Sequence, residues 1–354
     1  MSGQTELREL LGSVDFGGID ESLSELDVFS QTSFGDLVWS LISGEKGFTE
    51  SLGQWVWNLF VGEWEANKNY LIYILLLAVA FSLLKNFALV FEKSYVSNVC
   101  FLLVYGLLMV LLMKSVTVLN TVVEHAIGVV IDFMTAFIPV FATTVVVSKG
   151  NATAMAFYEL GFIVVYVVQW LLCYGMMPMV RMYVVMGILN YVVEEGRFSK
   201  LTDLLDNLIS WSLKLLTSVV LGLNIIKNAI APVGDTFARQ TLRKSLAFVP
   251  GIGSTLTAVS DLFLAAGEVI RGGIGAAALI ALVAIVIVPM TKVGVMVILY
   301  RILAVFVEPV ADKRISNAIL IASKGGNMLF KILSTCVILI FITVAMTTLI
   351  GGMG

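Results

Sequence analysis

The chain has 354 residues, of which 59% are apolar and only 13% charged, with a mean hydropathy of +0.97. That balance leaves too little polar surface to clothe a soluble core of this size, so it excludes a secreted domain, a cytosolic enzyme and a nucleic-acid partner, and implies a chain whose solvent is the lipid bilayer. The net charge of −3 hides an asymmetry: residues 1–68 hold twelve acids against Arg8, Lys46 and Lys68, while the remainder carries a surplus of six bases.

The acidic region 1–68 reads as an extracytoplasmic N-terminal part. No basic, apolar, small-residue secretory signal precedes it, so either the N-terminus is translocated without one or a signal has been removed. Trp39, Trp55, Trp57 and Trp64 are four of the six tryptophans. Indoles favour the headgroup region, and residues 49–64 are predicted to form an interfacial helix leading into the bilayer.

A membrane helix needs about 20 apolar residues. Charge-free windows of that length occur at 94–113, 160–180, 272–291 and 332–354. A shorter window at 69–84 ends at Lys85, whose stem can snorkel. With weaker windows included, the expectation is an all-α polytopic protein of about eight spans, at 69–84, 94–113, 156–177, 179–193, 208–226, 273–290, 292–307 and 330–350. Both termini and 194–206 are then predicted outside, and 85–93, 227–244 and 308–331 inside, with Lys292 as the one violation of the positive-inside rule. Residues 69–133 form two leading spans and a connector.

Two further apolar stretches, 128–148 and 245–265, contain Pro139 and Pro250 among Gly, Ser and Thr. They are predicted to be broken or re-entrant segments, because non-helical backbone at membrane depth needs protein or water around it. Sliding the chain along itself at one fixed offset brings Ala136-Phe137-x-Pro139 onto Ala247-Phe248-x-Pro250, Pro178-Met179 onto Pro289-Met290, and Arg181 onto Lys292. There are eleven identities over 136–184, and the step from Pro139 to Pro178 equals that from Pro250 to Pro289. This reads as a duplication, 134–244 and 245–354, with three spans per unit and halves inverted about an axis in the membrane plane, as in transporters; were the proline segments full spans, each unit would have four and the repeats would be parallel.

Cys100, Cys173 and Cys336 each lie in an apolar run, which excludes a disulfide framework. No phosphate-binding Gly-rich Lys loop, no zinc-ligand pair and no nucleophile elbow occurs, and His125 is the sole histidine. The expectation is a non-enzymatic protein with no catalytic residues, no metal and no cofactor. Ionisable residues near membrane depth remain functional candidates. Glu124, His125 and Asp132 fall close together, either as the polar face of an interfacial helix or as the rim of an aqueous path. Asp261, Glu268 and Arg271 fall at helical spacings of seven and three, as a self-satisfying ion pair or a conduction site. Gly251, Gly253, Gly267, Gly272 and Gly273 offer close packing or a hinge. Pro139, Pro250, Gly251, Gly253, Ser254 and Thr255 are the predicted conduit or packing residues.

The run Phe248-Val-Pro-Gly-Ile-Gly253, followed by Asp261 and by Val288-Pro289-Met-Thr-Lys292, resembles the stage III sporulation protein AE family. The likeness extends upstream to Phe137-Ile-Pro139, the paired first spans and the acidic N-terminus, and departs only in lacking the family's usual cleavable signal. The resemblance implies a multi-pass subunit in the mother-cell membrane around the engulfed forespore, part of a channel-like complex with the other stage III sporulation proteins AA to AH. Those partners include ring-forming extracytoplasmic subunits, a cytoplasmic ATPase and a forespore protein. Self-association into a conduit base is the expected role. The rival reading is a stand-alone secondary transporter, against which the charge-free windows count, because ion-coupled carriers keep acids at mid-span.

Overall fold

A computed structural model describes residues 11–12, 14–24, 33–43, 61–66, 68, 72–76, 79–80, 94–148, 150–191, 197–247, 253–309, 311 and 313–349, with backbone alone at 94–98, 100–101, 147, 228–247 and 253–264. Among these residues there is no strand. Two short helices, α1 (Gly17–Leu23) and α2 (Phe34–Ser43), precede the long ones. Helix α3 is Ser94–Ser148 and α4 is Asn151–Val168, which continues through a π-helical turn, Gln169–Met176, into α5 (Met177–Leu189). Then follow α6 (Ser199–Ala247), α7 (Gly253–Val307) and α8 (Lys313–Leu349).

Five runs among the described residues are long and apolar enough to cross a bilayer: Leu102–Val146, Asn151–Leu189, Ser199–Lys227, Ala265–Val307 and Lys313–Thr348. The first has 45 residues and the fourth 43. At 1.5 Å per residue each is about 65 Å long, roughly twice the hydrocarbon thickness. These are not lone bilayer spans of ordinary length.

Several expectations change here. The segment 128–148 is neither broken nor re-entrant: Pro139 lies inside an unbroken α3. A proline withholds one donor, here from the Thr135 carbonyl, and a long helix packed on neighbours tolerates that loss. The separate spans expected at 156–177 and 179–193 are one continuous helix, and so are those at 273–290 and 292–307, which carry Pro289 in the interior of α7. Before Pro178 the π turn shifts the register, with the Met177 N–H donating to the Leu172 carbonyl five residues back, so the missing donor falls where the ladder is already re-spaced. The first span at 69–84, the interfacial helix at 49–64, Pro250 and Gly251 lie largely or wholly outside the described residues. Gly253, Ser254 and Thr255 open α7.

Fusing those spans also changes the sidedness. The predicted scheme puts 194–206 and 308–331 on opposite faces. In the structure α5 and α7 run the same way, and Gly187 near the end of α5 packs against Ile321 near the start of α8. Residues 190–191 and 197–198 therefore lie at the same end of the bundle as 308–309 and 311. Conversely the scheme separates 227–244 from the C-terminus, yet Lys227 bonds to Thr347.

Helices α3, α6 and α8 run antiparallel to α4–α5 and α7. The connection from α3 to α4 is only Lys149-Gly150, and Gly150 has φ 119°, a conformation closed to residues with a Cβ in ordinary circumstances. Close crossings rest on other glycines: a Cβ on Gly325 would overlap the Val184 side chain, and one on Gly161 would lie 2.9 Å from Ile138. Small residues at such points let backbones approach where lipid offers no driving force for association.

The N-terminal region docks on the helical body. Ile19, Leu23, Phe34 and Val38 are all buried. Phe34 meets Phe16, Phe133 and Phe137 at ring-centroid distances of 5.5, 6.3 and 6.5 Å, and the series continues through Phe141 to Phe157. Edge and offset-stacked contacts of this kind add to the area that each ring buries. Acidic composition in 1–68 thus describes one face of these helices, while their other face belongs to the core.

Candidate functional site

Three polar features stand out against the apolar bundle. The first is a charged layer partway along it. Arg181 of α5 donates to Glu124 Oε2 of α3 at 3.4 Å, with both side chains about half exposed. Asn120, one turn earlier and fully buried, turns its carboxamide oxygen to accept from Arg181 Nε at 3.1 Å and from the adjacent guanidinium nitrogen. On α7, Lys292 pairs with Glu63 at 3.9 Å. Tyr300 of α7 donates its hydroxyl to Ser115 of α3. Because α3 and α7 are antiparallel, Lys292, two turns before Tyr300, is level with Glu124, some two turns after Ser115. The two cations that follow the Pro-Met pairs therefore occupy the same layer, each with a carboxylate partner.

His125 and Asp132 point elsewhere. They line a cleft between α3 and α1, together with Glu21, Ser22 and Ser24. Glu124 thus separates from the other two members of its sequence cluster. Pro139 is exposed on the outer face of α3. Among the described residues, no three His, Cys, Asp or Glu side chains come together as a metal-ligand set.

The second feature is a row on α6. Asp203, Asn207, Lys214 and Ser218 are exposed and Ser210 is half-exposed, at spacings of four, three, four and four, which is one helix face. The opposite face, including Leu205, Ile209, Leu213, Leu216 and Val220, is buried in the bundle. Lys214 stands midway along the apolar run Ser199–Lys227, roughly 20 Å from either end. Exposed Leu204, Leu208, Leu215 and Val219 flank the row.

The third lies where α6, α7 and α8 meet. Lys227 Nζ donates to Thr347 Oγ1 at 2.7 Å and lies 5.1 Å from the centre of the Phe157 ring. Arg271 Nη1 donates to the Thr347 carbonyl at 3.1 Å. Asn224 Nδ2 donates to Thr343 Oγ1 at 3.3 Å. Of the second-repeat charges, Arg271 is buried and Glu268 is exposed, and Asp261 lies within α7 with its side chain outside the described residues. Sequence reasoning missed Asn224, Lys227, Thr343 and Thr347. Threonines one turn apart in the last helix, together with Asn and Lys one turn apart at the end of a span, were the available signal.

The sequence profile of stage III sporulation protein AE matches residues 32–351. The chain belongs to that family. It is similar to stage III sporulation protein AE of Bacillus subtilis (strain 168), 24% identical over 315 residues that cover 88% of this chain and 79% of the relative. No solved structure matches. The family match begins at residue 32, so it takes in α2 with its Phe34 anchor, all three polar features and every long helix. The family members are sporulation proteins, and the apolar helices make this one a membrane protein.

Proposed function

We infer that this protein is a multi-pass subunit of the sporulation complex that links mother cell and forespore, and that copies of it associate to form the base of a conduit. Family membership supports the setting in the mother-cell membrane and the company of the stage III sporulation proteins AA to AH. The observation that carries the conduit itself is the polar row on α6. A lysine at mid-depth, in line with amide, carboxylate and hydroxyl groups on the outside of a protomer, finds no partner in lipid, where unsatisfied polar groups are costly. Water or a second copy has to face them. Copies arranged with α6 inward would place Asp203, Asn207, Lys214 and Ser218 around an aqueous passage, and the exposed leucines beside them would seal subunit against subunit.

On this reading the passage is lined by α6, and the segment from Pro250 to Thr255 contributes at its mouth or at a subunit contact. The duplication of 134–244 and 245–354 remains part of the proposal with parallel and not inverted halves, because α5 and α7 run the same way, and it is supported by the shared layer of Arg181 and Lys292 after equivalent Pro-Met pairs. An extracytoplasmic N-terminus belongs to it as an expectation. The test is thiol accessibility in the assembled complex. Cysteines at Asn207, Lys214 and Ser218 should react with water-soluble reagents and cross-link between copies, whereas one at Leu213, on the buried face, should do neither. An intact assembly in which the α6 row is inert would remove the conduit reading.

A further inference from the structure

Gln169–Met176 is the one π-helical segment among the described residues, and π turns are rare and concentrated at functional sites. Its effect falls on an aromatic series at spacings of four: Tyr158, Phe162, Tyr166, Trp170 and Tyr174. On an α-helix four residues overshoot a 3.6-residue turn, so such a series winds around the rod. A π turn closes on the fifth residue, as the Met177 N–H does on the Leu172 carbonyl, so four residues undershoot it. Trp170 and Tyr174 therefore return beneath Tyr166, and the series becomes a straight column about 20 Å long.

Tyr166, Trp170 and Tyr174 are 66%, 60% and 72% exposed, and no charged residue occurs from 160 to 180. A lipid-facing aromatic belt occupies one level, at the bilayer surface. A column of this length leaves that level wherever the membrane lies along the rod. It carries phenol and indole tips either into hydrocarbon, where polar groups lack partners, or into water, where such a patch marks a protein contact. A protein surface suits both cases.

The outer side of α6 carries the complement. Leu208, Trp211, Leu215 and Val219 form an exposed apolar flank beside the polar row. Levels on the two helices can be compared because Lys227 of α6 lies over the Phe157 ring of α4, and the helices are antiparallel. Thirteen residues on from that contact, 157 to 170 and 227 to 214, Trp170 stands level with Lys214. By the same count Tyr166 is level with Ser218 and Tyr174 with Ser210. Copies inserted the same way into one membrane keep each residue at its own depth, so only surfaces that share a level can meet.

We propose that the aromatic column of α4 in one copy packs on the apolar flank of α6 in a second copy. The rings of Tyr166, Trp170 and Tyr174 cover Val219, Leu215 and Trp211, and their polar tips reach the edge of the row at Ser218, Lys214 and Ser210. The Trp170 face also receives the Lys214 ammonium. This contact rests on the association of copies through α6 and supplies the surface against which its leucines close. The π turn is what keeps the column in line with a straight row.

Two differently tagged full-length chains, co-expressed and each with Cys100, Cys173 and Cys336 changed to alanine, test the pairing by oxidation in membranes. Trp170→Cys in one chain and Leu215→Cys in the other should give a mixed-tag disulfide dimer. Leu204→Cys, on the same flank but about 16 Å along α6, should give almost none with Trp170→Cys. Between Tyr166→Cys and Val219→Cys, adding Trp170→Ala should lower the yield about tenfold. Equal yields from Leu204→Cys and Leu215→Cys would mean random collision and overturn the pairing. Absence of mixed-tag product would overturn it too: Trp170→Cys labelled by a lipid-soluble maleimide would place the column against lipid, and Trp170→Cys shielded from that reagent would place a segment of its own chain over it. The disulfide without water access to the α6 row would keep this contact and remove the conduit, whereas a water-accessible row without the disulfide would do the reverse.

Discussion

The phenol of Tyr105 donates a 2.7 Å hydrogen bond to the main-chain carbonyl of Ile188, and both residues are buried. Ile188 is the penultimate residue of α5, where the last carbonyls of a helix have no partner within it. A side chain near the start of α3 thereby caps the far end of the α4–α5 rod. It also fixes the register of two helices that are joined only at their opposite end, at Gly150.

Tyr105→Phe keeps the ring and removes the donor, leaving the Ile188 carbonyl buried and unsatisfied. The expected cost is about 1–3 kcal/mol. It should appear as a lower unfolding temperature of the purified protein in detergent, with helix content by circular dichroism unchanged below the transition.

Glycine substitutions should divide by contact. On α8, a Cβ at Gly325 would overlap Val184 and one at Gly326 would meet Val297 at 2.9 Å, so alanine there forces α8 away from α5 or α7, at roughly 1–3 kcal/mol each. Gly106 and Gly222 meet nothing within 4 Å, and Gly→Ala there should be neutral or stabilising by about 0.5–1 kcal/mol through helix propensity. Thermal stability of the four variants, measured side by side, checks the helix crossings.

The layer around Arg181 should be asymmetric. Its ion pair with Glu124 is half-exposed and long, so Glu124→Gln should change stability by less than about 1 kcal/mol. Asn120 is fully buried against the same guanidinium, and Asn120→Leu removes the acceptor from a group that then has an unmet donor. It should be the more damaging change. A Glu124→Gln variant as unstable as Asn120→Leu would show that charge, and not the buried amide, holds α3 to α5.

Sidedness gives a prediction that needs no purified protein. In a background with Cys100, Cys173 and Cys336 changed to alanine, single cysteines at Arg197 and Glu308 should label from the same side of the membrane in intact cells. Labelling from opposite sides would restore the scheme in which Pro178 and Pro289 mark turns.

Phe34→Ala should loosen the N-terminal region from the bundle, since it removes contacts with Phe16, Phe133 and Phe137 at once. Truncating a buried phenylalanine costs about 3–5 kcal/mol. Faster proteolysis confined to the region before α3 is the expected readout.

The membrane setting, the helical class and the family were legible because each is written over most of the chain. Composition and the order of weak apolar motifs do not depend on any one contact. The number of helices was not legible. Arg181 and Lys292 interrupt apolar runs and look like loop markers, but Glu124 and Glu63 answer them from elements far away in the chain. Pro178 and Pro289 also look like breaks, and a π turn in one case and packing in the other let the helix continue. The cluster at Thr347 is hidden for the same reason, since Arg271 and Lys227 are separated from it by most of two long helices and more. Local charge patterns announce an interruption in a membrane helix. They do not say whether a distant side chain repairs it.

The length of these helices has a practical corollary for anyone handling the protein. A micelle or a bilayer wraps an apolar girdle about 30 Å tall, whereas Leu102–Val146 and Ala265–Val307 extend about twice that distance. Leu103, Val110, Met155, Tyr166 and Val305 are exposed along that length, more than one girdle can shelter. The single chain is therefore a poor unit for extraction, with greasy surface left over after the amphiphile has closed around it. Material that stays dispersed should be the material that has kept its neighbours.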